Sequence, residues 1–269
     1  MTGLIQYFAL AAADGTAPSY EGIVTGGRHT IPSEVREQRG IGSHKAFQYV
    51  PGLLTPNGSV DYKVKDDLLI KKAIRTAGVL SEFGIVCGDT IWNATHKNCK
   101  CNSLTLHGAA GEELTGTFSW MAKTAAEGSG AQTQTADGAN VLMWNTFTMT
   151  GLTGLTITSI DLTLTHRLVQ QPVLETPTAG AKRFPKYVED TGQDVIGFNL
   201  GLLAQGGADI TADALAVIAS IVISFVGTKT LAITLTNAWL SEKNEDFTPD
   251  AMATKGLNYL CDDITILYS

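Results

Sequence analysis

The densest group of side chains that could hold a metal ion or act as a nucleophile lies between Cys87 and His107. His96, Cys99, Cys101 and His107 fall within a dozen residues, with Cys87 just upstream. On a strand Cys99 and Cys101 point to the same side, so a zinc site is geometrically open to them. Their spacing is not the C-x2-C ladder of structural zinc modules, and buried free thiols beside surface histidines are the expected arrangement. The pairs Gly26-Gly27 and Gly206-Gly207 lack the G-x-G-x-x-G and Walker spacings that cradle phosphates after a strand, and read as turns. No G-x-S-x-G elbow, H-E-x-x-H pair or matched carboxylates stand out. Scattered Ser, His and Asp leave a triad open without favouring one. The expectation is a chain with no catalytic residue, no metal and no cofactor, and not an enzyme. Trp92, Trp120, Trp144 and Trp239, each in or beside a strand-like run, are expected in the core.

The remaining candidates are cations on two long connections. Arg36, Arg39 and Lys45 lie in residues 36–54, and Lys182, Arg183 and Lys186 in residues 170–187. Connections of this length inside a compact domain are usually functional. Two readings stand side by side: solvated charge, or contact with acidic surface on a neighbouring copy of the same chain.

The elements that hold out these loops read as strands. Ile157, Ile160, Leu162 and Leu164 alternate with Thr, and Val195, Ile196, Phe198, Leu200 and Leu202 form a second run, the mark of half-buried strands. Residues 1–21 carry little periodicity and are expected to be an arm. Gly22–Val35 reads as a strand. Pro56-Asn57-Gly58 signals a turn into alternating Val60, Tyr62 and Val64. Asp66-Asp67 caps an expected amphipathic helix over 67–77, stopped at Gly78. Residues 125–138 are small, polar and patternless, the best linker candidate.

Around that linker the element order repeats. Strand, basic loop, turn, strand and helix occur at 31–77 and again from 157 to an expected helix at 211–221. This predicts two β domains, 22–126 and 139–269, joined by 127–138, each with a flanking helix. Coincidence of a common element order is the competing explanation.

The chain has 269 residues and a net charge of −7, with a pI of about 5.2. An acidic surface argues against holding nucleic acid without regard to sequence. No stretch reaches the roughly 18 apolar residues of a membrane span, and no secretory leader is visible.

Three stretches carry a resemblance: PNGSVDYKV leading into DLLIKKAIRTAG, SLTLHGAAGEELTGTFSWMAKTA, and the strand-loop-strand from LTGLTITSIDLTLTHRLVQQPVLE to KYVEDTGQDVIGFNLGLLA. Over about residues 22–205 the chain resembles a tail tube protein of long-tailed bacteriophages. The resemblance implies a mainly β, sandwich- or barrel-like fold with flanking helix. It implies copies that form rings, rings stacked into a tube beside other tail proteins, and double-stranded DNA passing through without specific binding. It places the protein in the virion tail, made in the host cytoplasm, with the long loops contacting the next ring. With a duplicated domain the expected ring has three copies, with six as the alternative, and the acidic balance suggests a net negative lumen. A different class also fits: a β-rich adhesin or virion decoration module binding a carbohydrate or receptor. A hydrolase on a β scaffold is the third.

Overall fold

The structure is a computed structural model. It describes residues 2–4, 7–20, 23–38, 48–89, 91–129, 141–152, 154–171, 184–203, 217–227, 229–246 and 254–269. Thr- and Val/Ile-rich alternation produces a mainly β chain. In the first half lie β1 (Thr2–Leu4), β2 (Tyr7–Ala11), β3 (Ser19–Tyr20), β4 (Ile23–Thr30), β5 (Ser33–Gln38), β6 (Gln48–Leu54), β7 (Asn57–Lys63), α1 (Leu68–Ala73), β8 (Phe83–Gly88), β9 (Trp92–Ala109) and β10 (Thr115–Ser129). The second half holds β11 (Phe147–Thr150), β12 (Thr156–Gln171), β13 (Tyr187–Leu203), β14 (Ile218–Val226), β15 (Thr230–Asp246) and β16 (Thr254–Tyr268). All except β5 and β6, which pair with each other, belong to one sheet curled into a half-barrel.

The pairing order repeats within that sheet. In the first half it runs β4-β7-β10-β9-β8-β2, and in the second β12-β13-β16-β15-β14-β11. Irregularities recur at matching places. The β4–β7 register shifts between Val24 and Gly26, and β12–β13 between Ile157 and Ser159. Farther along, the shift between Ser33 and Val35 matches that between His166 and Leu168. Asn98 and Asn237 both hold a φ of 50°, and each lies shortly before an extra residue on its strand, Asn102 against β10 and Ser241 against β16. A bulge pins register because a one-residue slip would turn every following side chain to the other face. The halves meet where Ser103–Ala109 of β9 pairs with Ser159–Thr165 of β12.

One hydrophobic cluster spans both halves, from Phe8 and Val60 through Trp120, Leu162 and Phe198 to Ile233 and Tyr259. Tyr7–Leu10, inside the segment expected to be an arm, are buried because β2 pairs with β8. α1 covers the core with Leu69, Ile70 and Ala73 but ends earlier than its apolar periodicity suggests. Ile74 is already extended, and Gly78 (φ 80°) with Ala77 (φ 51°) turns the chain between Thr76 and Val79 instead of capping a helix. The second expected helix, 211–221, is not one where it is described: Ile218–Ile221 begin β14, and 211–216 lie outside the described residues. Its apolar run is the alternating buried face of a strand. The connection 36–54, expected to be irregular, is a hairpin at its base, with Arg36 opposite Val50. Glu127–Ser129, placed in the linker, still pair with β9, and 130–138 lie outside the described residues.

Gly58 sits within β7, not in a turn. A Cβ there would stand 2.2 Å from Cζ2 of Trp120, whose side chain is fully buried. The glycine is needed for the indole, not for backbone freedom. Gly58→Ala is expected to cost about 3 kcal/mol by overpacking, read as a lower urea midpoint at unchanged m-value.

Candidate functional site

Strand alternation gives the sheet a second face opposite the core. On β9, Leu104 and Leu106 are buried while Ser103, Thr105 and His107 face away. Pairing aligns residues of this face into rows: Ser59, Ser119, Ser103 and Thr165 in one, Asp61, Thr117, Thr105 and Thr163 in the next. Short side chains let the hydroxyls bond across strands. Ser103 and Ser119 Oγ lie 2.7 Å apart, and Thr117 Oγ1 donates to Asp61 at 2.7 Å. Where β9 meets β12, His107 Nδ1 lies 2.6 Å from Asp161 Oδ1. Lys63 pairs with Glu113. Across these two rows the face is therefore mostly neutral hydroxyl, and the rows themselves hold no cation for a phosphate chain.

The face also carries apolar groups at its β15 end. Trp239, expected in the core, is 50 % exposed and pairs with Leu260, 48 % exposed. Trp120 is fully buried, and Trp92 and Trp144 are partly buried against the core. Beyond Ala238, β15 has β16 on one side and no described strand on the other. At the far end of the sheet, β4 has β7 on one side and β1 on the other, with Thr2, Gly3 and Leu4 opposite Thr30, His29 and Arg28. The two ends of the sheet are thus a partly open edge and an edge covered by three residues.

A clamp ties α1 to the β12–β13 hairpin. The Arg75 guanidinium donates to Asp194 through Nε (2.6 Å) and Nη2 (2.6 Å), and to Asp190 through Nη2 (2.7 Å) and Nη1. Burial raises the pKa of both carboxyls, and hydrogen bonds from Arg75 overcome this and hold each below its ordinary value. Buried His166 places Nδ1 2.7 Å from Asp194 and Nε2 2.7 Å from the Ala73 carbonyl. Both ring nitrogens thus face oxygen atoms, one on the β13 carboxylate and one on the last residue of α1.

The thiol and imidazole group does not form a metal centre: among the described residues no three His, Cys, Asp or Glu side chains converge on one point. All four cysteines are free and buried. Burial pushes Cys87 up to about 12 and Cys261 to about 11, and raises Cys99 and Cys101 as well, so the thiolate a metal or a nucleophile needs is disfavoured. His96 is not at the surface. Its ring is fully buried, edge-on to Trp120 (5.7 Å) and His29 (5.5 Å), with neither nitrogen hydrogen-bonded among the described residues. His29 in turn stacks on Trp92 at 4.6 Å.

Of the predicted loop cations, Arg36 is placed on β5. Lys186 donates its backbone N–H to Gln171 (2.9 Å) and sets Nζ 6.0 Å from the Tyr187 ring centre, as Lys123 does from β10. Arg39, Lys45, Lys182 and Arg183 lie outside the described residues. Sequence reading missed the Arg75 clamp, whose partners lie 115 and 119 residues away, and the exposed Trp239. No helix among the described residues is long and apolar enough to cross a membrane.

A family model described as phage tail tube protein matches residues 8–253. No curated protein matches the chain.

Proposed function

We propose that this chain, which belongs to the phage tail tube protein family and is a structural protein of the phage tail, closes three copies into a ring. In this reading rings stack into a tube that conducts double-stranded DNA out of the virion. The observation that carries the three-fold ring is the recurrence of one six-strand pairing order on both sides of the β9–β12 joint. If each half is one tube unit, three chains supply six units. A closed β-lined channel fixes its strand count, so doubling the units per chain halves the chains.

The hydroxyl rows line the channel. Asp61, Asp161 and Glu242 share that face with Arg28, Lys63, Lys100 and His107, so both signs of charge interrupt the hydroxyls, and a net negative lumen follows the acidic balance of the whole chain. A wall of hydroxyls exchanges hydrogen bonds with water and lets phosphates pass without a fixed cation to hold them. Residues 36–54 and 170–187 are carried by hairpins at matching places in the two halves, β5–β6 and β12–β13, and this equivalence supports a common role at contacts between copies or between rings. Their cations, Arg36, Arg39, Lys45, Lys182, Arg183 and Lys186, meet acidic surface there. Other tail proteins cap the two ends of the tube.

Negative-stain and cryo-electron microscopy of the purified chain at rising concentration tests this. The expected result is rings or tubes with three-fold symmetry and six similar units around the channel. True six-fold rings with one copy per unit, or a strict monomer at every concentration, would overturn the proposal.

A further inference from the structure

We infer that β1 is a placeholder on the ring joint: Thr2–Leu4 occupy the stretch of β4 on which the end of another copy's β15 pairs, so that assembly exchanges one strand for the other. The inference rests on the three-copy ring proposed above, and it adds to that reading both a register for the joint and a strand that guards it.

The joint can be read from the one already made inside the chain. There the outer edge of β12 receives the second half of β9, with Thr163 opposite Thr105, Leu162 opposite Leu106 and Asp161 opposite His107. The matching bulges put Arg28, His29 and Thr30 of β4 where Asp161, Leu162 and Thr163 stand in β12. They likewise put Asn244, Glu245 and Asp246 of β15 where Thr105, Leu106 and His107 stand in β9. Carried over, the joint between copies sets Thr30 opposite Asn244, His29 opposite Glu245 and Arg28 opposite Asp246. In the single chain those same three β4 residues pair with Thr2, Gly3 and Leu4. One edge holds one strand.

Two further observations choose a second copy as the occupant. The internal joint carries a hydrogen-bonded pair, His107–Asp161, and the corresponding positions hold Asp246 and Arg28, two residues of opposite charge. Next to the internal joint Met121 packs against a cluster of Leu80, Leu168 and Val188. Met121 corresponds to Leu260, and Val188 to Tyr49, which are 48 % and 61 % exposed in the single chain. Two apolar groups left in solvent are therefore the two that the joint would bring together across copies.

The physical need for a placeholder follows from the edge. An uncovered β4 would offer unpaired N–H and C=O groups to any strand. A three-residue strand satisfies them, yet it is short enough to lose to a longer strand that also brings the Arg28–Asp246 charges and the Tyr49–Leu260 contact.

Cysteines at two positions opposite Thr30 separate the states. A Thr2→Cys, Thr30→Cys chain, oxidised as single copies, is expected to lose ring and tube formation and to regain it on reduction. A Thr30→Cys, Asn244→Cys chain, which leaves β1 untouched, is expected to give covalent trimers on a denaturing gel after oxidation of assembled rings. A chain lacking residues 1–5 is expected to assemble at about tenfold lower concentration, because the fraction with a free edge rises. If the oxidised Thr2→Cys, Thr30→Cys chain assembles as readily as the reduced one, β1 is no placeholder while the ring stands. If rings form but the second pair never links copies, the register is wrong. Rings without three copies overturn the underlying proposal instead.

Discussion

His96→Leu is expected to abolish most of the loss of stability that the parent chain undergoes between pH 7.5 and pH 4. Burial, with a smaller contribution from neighbouring His29, pushes the His96 pKa down to about 3, against about 6.5 in an unfolded chain. A histidine whose folded pKa is depressed contributes stability that is complete above the unfolded value and is lost as pH falls towards the folded one. Across that window the unfolded chain binds a proton that the folded chain refuses. At pH 4 the loss amounts to on the order of 3 kcal/mol through this residue. Burial lowers the His29 pKa too, with Glu127 opposing, so His29 adds in the same direction. Leucine removes the titration and fills an apolar site in which neither histidine nitrogen is hydrogen-bonded among the described residues. Urea unfolding of parent and variant at several pH values checks this. Parallel curves of stability against pH would show that His96 takes up its proton without cost in the fold.

Arg75→Met is expected to cost about 3 kcal/mol at pH 7, since it leaves two part-buried carboxylates facing each other without their cation. The pH dependence then separates loss of charge pairing from loss of packing. In the parent the folded pKa of Asp190 and Asp194 is depressed, so the clamp contributes fully above the ordinary carboxylate range and is lost as pH falls below about 4. Without Arg75 the burial that raises both pKa values is opposed only by the Gly192 N–H and Lys100 at Asp190 and by His166 at Asp194. The gap between variant and parent should therefore narrow on acidification. Adding Asp194→Asn to Arg75→Met should recover part of the loss at pH 7. A gap independent of pH would assign the effect to packing of the Arg75 stem.

Much of the strand pattern was legible because period-two alternation is a local property. Ile160, Leu162, Leu164, Phe198 and Leu200 are buried as their spacing requires. The helix was overestimated because Arg75 spends its charge on Asp190 and Asp194 from a hairpin more than a hundred residues away, which no window around residue 75 contains. His96 reads as a surface residue by type. It is buried because β4, β9 and β10 bring His29, Trp92 and Trp120 around it. The element repeat was visible in outline but was partly assigned to a helix at 211–221, where β14 begins. Its better marks are the left-handed Asn98 and Asn237 and the extra residues Asn102 and Ser241 after them. Those marks lie in KNCKCNS and TNAWLSE, which share too little for comparison of letters to find them. The polar sheet face could be drawn from alternation alone, but which strand edges remain open depends on pairing order.

In the proposed three-copy ring, the β9–β12 joint has a consequence for errors of closure. A ring assembled from separate units can trap five or seven of them, since each added unit makes the same contact whatever the final number. If each half of the chain is one such unit, as proposed, the chain adds two at a time and odd closures cannot occur. Half of all joints are also made at the effective concentration of a tethered neighbour, before copies meet. Only the joints between chains depend on how much protein is present, and they alone decide when the ring begins to form. The two kinds of joint are free to diverge: one has only to be stable, the other has to wait.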